Sequence, residues 1–159
     1  MQKKSCFFIG HREAPASLLP SLIEAIEQHI VDFGVTEFLV GHYGNFDKLA
    51  AQAVIAAKAR HPEITLLLVL PYHPAERPVQ APTGFDSTYY PPGMENVPRR
   101  FAITRANQYL VDHTDYLIAF VTHPASNAAK LLSRAEIRAR KGQLRITNLP
   151  VPESNNHID

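Results

Sequence analysis

A single cysteine, Cys6, leaves this 159-residue chain without an intramolecular disulfide, as expected of a protein that works in a reducing cytoplasm. It stands inside an apolar run, which suits a buried, inert thiol better than a nucleophile. An excess of one charge is also lacking: sixteen basic against fifteen acidic residues give +1. That balance provides no electrostatic footprint for nucleic acid, so nucleic acid is not an expected partner. Long hydrophobic runs are missing too. The apolar stretch after the basic Met1-Gln2-Lys3-Lys4 stops at Gly10, too short for a signal peptide or a membrane span. The expectation is a cytoplasmic protein with no membrane contact.

What is present is an ordinary globular composition, 45% hydrophobic and 19% charged, at the length of one domain. Ser5 to Ile9 reads as a strand buried on both faces, ending at Gly10-His11-Arg12. Leucines and isoleucines from Leu18 to Ile30 recur at three- and four-residue spacing, predicting a helix over 16–33 that Gly34 stops. Further strands are predicted over 36–40, 64–70, 116–121 and 144–147. Further helices are predicted over 47–60, after Pro98, and over 128–141. The fold class is therefore α/β: a single Rossmann-like doubly wound domain over 1–150. It has a five-stranded, mostly parallel sheet of order 3-2-1-4-5 with helices on both faces. Prolines at 74, 78, 82, 91, 92 and 98 make 73–98 a long loop or lid, and 151–159 a polar tail.

In such sheets, ligands bind outside the carboxyl ends of the strands where the strand order reverses. The segments expected there are Gly10-His11-Arg12, the turn Gly41-His42-Tyr43-Gly44-Asn45-Phe46-Asp47, and His123 to Asn127. Gly41 and Gly44 let the backbone turn sharply before a helix whose N-terminus suits an anion. The turn is neither a dinucleotide fingerprint nor a Walker loop. Asp47 falls in the first helical turn, where it serves the helix dipole and suits a ribose or base better than a phosphate. Arg100, at a helix start, is a candidate partner for an anionic ligand. Arg105 shares a helical face with Phe101 and Tyr109, predicting a partly buried guanidinium, and Asn107 lies in the apolar stripe. Ser126 and Asn127 read first as N-caps. His11, His42, His73 and His123 each follow a strand, but their spacings match no zinc motif. Neither metal nor cofactor is expected, and no nucleophile elbow marks a catalytic residue.

Taken in order, Ile9-Gly10-His11-Arg12, Gly41-x-x-Gly44-x-x-Asp47, Val69-Leu70-Pro71-Tyr72, Arg105 to Asp112 and Asp115 to Ala119 resemble the SLOG superfamily of Rossmann-like domains. That group holds the DprA-type proteins and the lonely-guy phosphoribohydrolases, and the chain most nearly resembles its bacterial YpsA-like subfamily. The resemblance implies a nucleotide or nucleotide-derived ligand lined by Gly10, Arg12, Gly41, Gly44, Asp47, Arg105 and Asn107, and a homodimer. Lonely-guy enzymes carry Pro-Gly-Gly-x-Gly-Thr-x-x-Glu after the fourth strand, with glycines for phosphate and a glutamate for glycosidic cleavage. Here the segment reads Pro124-Ala125-Ser126-Asn127-Ala128-Ala129-Lys130-Leu131. The expected function is ligand binding as a sensor or adaptor without turnover. The alternatives are N-glycosidic hydrolysis of nucleoside monophosphates and a DprA-like association with DNA.

Overall fold

A computed structural model describes residues 3–153. Residues 1–2 and 154–159, the latter most of the predicted tail, lie outside the described residues. The elements, in chain order, are β1 (Ser5–Gly10), α1 (Leu19–Val31), β2 (Glu37–Val40), α2 (Asn45–Lys58), β3 (Thr65–Val69) and β4 (Ser87–Tyr89). α3 (Ala102–His113), β5 (Tyr116–Phe120), α4 (Asn127–Arg140) and β6 (Arg145–Asn148) follow. A single 3-10 turn leads into α1 and another into α3. No helix among the described residues is long and apolar enough to cross a membrane.

All strands run parallel, in the order β4-β3-β2-β1-β5-β6. The predicted order survives, but the sheet has six strands where five were expected. The added strand, β4, comes from the proline-rich segment and pairs Leu67 with Ser87 and Val69 with Tyr89. Parallel pairing forces the chain after β3 to return to the other end of the sheet before β4 begins. Residues 70–86 make that crossover without a helix. Lys58 of α2 pins it, donating to the Gly84 carbonyl at 3.1 Å and to the Asp86 carboxylate at 2.6 Å. Asp86 in turn accepts from the Leu66 N–H at 2.8 Å.

Strand alternation divides the interior into two layers. Cys6, Phe8, Phe38, Val40, Ile118 and Phe120 face α1 and α2, while Phe7, Ile9, Leu39, Leu117 and Ala119 face α3 and α4. Burial pushes the Cys6 thiol far up, so it stays protonated and inert. Small residues on α2 (Ala50, Ala53, Ala57) bring that helix close to the sheet. α4 is tied along α3 by Arg134, bidentate to Asp112 at 2.8 and 2.7 Å. Arg138 adds bonds to the Val111 and Thr114 carbonyls. β1 and β5 stay paired to their last residues, Gly10 and Phe120, but because α1/α2 and α3/α4 take opposite faces the loops after them leave in opposite directions, and a crevice opens beyond their carboxyl ends.

Candidate functional site

At that opening lies a cleft of about 360 Å³. Its floor is the end of β1, and its walls are the β1–α1 loop, the β2–α2 turn, one face of α3 and the first turn of α4. Of the residues expected from sequence, Gly10, His11, Arg12, Gly41, Asp47, Asn107, Ser126 and Asn127 line it. Glu13, Tyr43, Ile103, Ala128 and Leu131 line it as well. Each was within reach of a sequence signal: Tyr43 sits inside the glycine turn, Glu13 follows Arg12, Ile103 is one helical turn before Asn107, and Leu131 one turn after Asn127.

Two glycines set the cleft's shape. A Cβ on Gly10 would fall 2.1 Å from Cγ of Phe46, so β1 ends flat against that ring. Phe46 is buried between Phe8 and Phe120, its ring stacked on Phe120 at 6.4 Å between centroids. Gly44 does not line the cleft but holds φ at +127°, and a Cβ there would meet the Arg12 backbone at 2.7 Å. This close approach joins the first two loops, and Asn45 completes the seam by donating from its N–H to the Arg12 carbonyl at 2.9 Å. The side-chain amide of Asn45 reaches the Ala14 carbonyl at 3.2 Å.

His11 joins the third loop to them. It is buried, and its Nε2 accepts from the Thr122 N–H at 2.7 Å and the His123 N–H at 3.3 Å. That arrangement requires an unprotonated Nε2. Burial lowers its pKa, the neighbouring His123 ring lowers it further, and Glu13 offsets part of the effect. A lowered pKa means the unfolded chain takes the proton first, so the His11 contribution is intact above the ordinary histidine pKa near 6.5 and is lost as pH falls below it. His29 and His42 are depressed by burial in the same direction. Against that background, His11→Gln, which keeps an acceptor, should flatten the acid side of the stability profile. His11→Ala should cost about 1–3 kcal/mol at pH 7.5 through two unpaired N–H groups. Denaturant titrations at pH 7.5 and 5.5 read both, and an unchanged acid slope in the Gln variant would contradict the assignment.

Asp47 supplies the cleft's polar depth. Its Oδ2 accepts from the Tyr43 N–H at 3.1 Å and would lie 2.9 Å from a Cβ on Gly41. No cation pairs with it among the described residues, and burial raises its carboxyl to about 6 against the small opposing pull of that N–H. Opposite, Ser126 caps α4: its hydroxyl donates to the His123 carbonyl at 2.7 Å and accepts from the Ala129 N–H at 3.1 Å. Arg12 is exposed at the rim.

Arg100 and Arg105 are not brought to this cleft. Arg100 extends over the Phe101 ring at 4.8 Å, and Arg105, exposed, lines a separate groove with Met94, Tyr109 and Arg134. The face of α3 carrying Phe101 and Arg105 is turned away because Ala102, Ala106 and Leu110 take the sheet, leaving Ile103 and Asn107 toward the cleft. No residue of 73–98 lines the cleft either. Nor do the four histidines gather: His42 lies against Tyr43 and His73 against Tyr90, leaving His11 and His123 together at 4.6 Å. No group of three metal-binding side chains forms among the described residues.

No protein-family model matches the sequence, and no curated protein does. Among solved structures, the chain is similar to the Moco carrier protein of Chlamydomonas rheinhardtii. Identity is 13% and the TM-score 0.48, over 92% of this chain and 76% of that one. It is also similar to DNA processing protein A of Helicobacter pylori, solved for its single-stranded DNA binding mode. Here identity is 14% and the TM-score 0.50, over 90% of this chain and 74% of that one. At such identities the likeness is one of fold alone, a Rossmann-like α/β arrangement around a parallel sheet.

Proposed function

We propose that the cleft binds a nucleotide or a nucleotide-derived small molecule, and that the protein acts as a sensor or adaptor of the SLOG superfamily, near its YpsA-like branch. The observation carrying this reading is the polarity across one cleft at the strand-order reversal. Arg12 and the first turn of α4 offer positive character, and Asp47 offers a carboxylate edge that no cation pairs with among the described residues. A ligand with an anionic end and a hydrogen-bond-donating end fits that division, and a nucleotide has both, in its phosphate and in its ribose or base. DNA processing protein A, which shares the fold, binds a polymer of the same units.

The reading without turnover rests on the segment after β5, where Lys130 and Leu131 stand in place of the glutamate that lonely-guy enzymes carry. Glu13 and Asp47 are the carboxyls of the lining. Glu136, further along α4, does not reach the cleft. Calorimetry with the nucleoside monophosphates should show binding that Arg12→Ala weakens about tenfold, near 1.4 kcal/mol. Arg105→Ala, outside the cleft, should leave it unchanged. Chromatography of the same mixtures should show no free base. Binding that survived Arg12→Ala and failed in Arg105→Ala would refute the site, and steady release of base would refute the sensor reading.

A further inference from the structure

The formal charge of +1 hides a segregation along the chain. Residues 13–47 hold six carboxylates and no lysine or arginine, whereas α4 with Lys141 holds five cations and one carboxylate. The fold puts that contrast on opposite faces of the sheet, since α1 packs through Leu22, Ala25 and Ile26 into one layer and α4 through Ala135 into the other. The outward face of α1 carries Ile23, Glu24, Val31 and Asp32, with Ile23 37% and Val31 63% exposed. These residues and Pro20 line a hollow of about 520 Å³. Arg60, the cation of that lining, is already held by Glu27 at 3.1 Å, so Glu24 and Asp32 have no cation among the described residues.

On α4, the helical repeat places Lys130, Arg134, Ile137, Arg140 and Lys141 within about a third of the circumference, opposite the buried Ala135. Ile137 stands at the centre of that face, 49% exposed. Arg134 is neutralised by Asp112 and Glu136 lies at the margin, so Lys130, Arg140 and Lys141 give the face its sign. Helix dipoles, which favour carboxylates at an N-terminus and cations at a C-terminus, account for Arg140 and Lys141. They do not account for Lys130 in the opening turns of α4, or for Asp32 at the close of α1. Each helix thus holds a charge against its own dipole, beside exposed apolar side chains, and a surface of opposite sign relieves both. The helices also match in length, at 13 and 14 residues, or about 20 Å each.

We infer that the outward face of α1 in one copy of this chain takes α4 of a second copy. Ile137 enters the hollow beside Ile23 and Val31, and Lys130, Arg140 and Lys141 meet Glu24 and Asp32. Because the two surfaces lie on opposite faces of the sheet, each contact uses one of each and leaves one of each free. The protein therefore associates head to tail rather than as a closed twofold dimer. Sedimentation velocity on the full chain tests this without any nucleotide. At about 50 mM salt the average mass should climb with protein concentration past twice 17.8 kDa, and at about 1 M salt it should return to 17.8 kDa. Glu24→Gln combined with Asp32→Asn should weaken the association at least tenfold, and so should Arg140→Gln combined with Lys141→Gln. An equal mixture of those two double variants should stop at a pair, since one productive contact remains between them. A monomer at every concentration in low salt would assign the faces to other partners and overturn the inference. A dimer that does not grow, or growth indifferent to both double variants, overturns it equally. Circular dichroism of the variants, expected to match wild type because all four side chains are exposed, excludes misfolding as the cause.

Discussion

Asp47→Asn should make the protein more stable and less able to bind. The wild-type carboxyl is enclosed without a cation and rises from 3.8 to about 6. The folded state therefore holds a proton that the unfolded chain has given up between those two values. The associated stability is complete below pH 3.8, declines as pH rises, and is gone above the folded pKa. At pH 7 the shift corresponds to a ceiling of about 3 kcal/mol of destabilisation by the ionised group. Asparagine removes the charge, and its side-chain oxygen still accepts from the Tyr43 N–H. We expect a gain of about 2 kcal/mol at pH 7, a rise in melting temperature of roughly 4–8 °C, and no gain near pH 4. On the proposed nucleotide reading, the variant should bind nucleoside monophosphates at least tenfold more weakly, because it loses the charged acceptor assigned to the ribose or base. Urea titrations at the two pH values decide the first point; equal effects at both would mean that the carboxyl is not strained by burial.

Gly10→Ala should be the most damaging single substitution in the cleft. The added methyl would sit 2.1–2.6 Å from three atoms of the Phe46 ring, and that ring is packed against Phe8 and Phe120 with nowhere to retreat. Overpacking of this kind costs about 3 kcal/mol or more, because either β1 leaves its register or the ring leaves its rotamer. The diagnosis is tested by relief: Gly10→Ala combined with Phe46→Leu should be less destabilised than the sum of the single variants by at least about 1 kcal/mol. Strict additivity would place the strain elsewhere. The substitution acts on the loop seam as well, since Phe46 belongs to the turn that carries Gly44 and Asp47.

Much of this architecture was legible in the residues. Uniformly apolar runs such as Cys6–Ile9 and Leu117–Phe120 announce strands covered on both faces, and the helices between them repeat every three or four residues. From those two periods the order of the sheet and the position of the cleft followed. β4 was hidden because it is only Ser87-Thr88-Tyr89, held by backbone bonds to one neighbour inside a proline-rich stretch, with no side-chain alternation to report it. The Arg105 expectation failed on rotation: Phe101, Arg105 and Tyr109 do share a helical face, but nothing local says which way that face looks. The sheet decides it, through Ala102, Ala106 and Leu110. His11 was recognised as a cleft residue, yet its work as the acceptor for two distant N–H groups depends on a contact across more than a hundred residues, which no spacing encodes.

The short outer strand has a consequence for how the chain meets other chains. A sheet's outermost strand is a template on which a foreign strand can grow, and long flat templates invite aggregation. β4 offers three residues before Pro91 and Pro92, which have no N–H to give and close the ladder at its end. The chain thereby screens β3, whose long apolar face would otherwise lie at the margin, behind a strand too brief to be extended. Growth by strand addition is blocked on that side by the proline-rich passage itself.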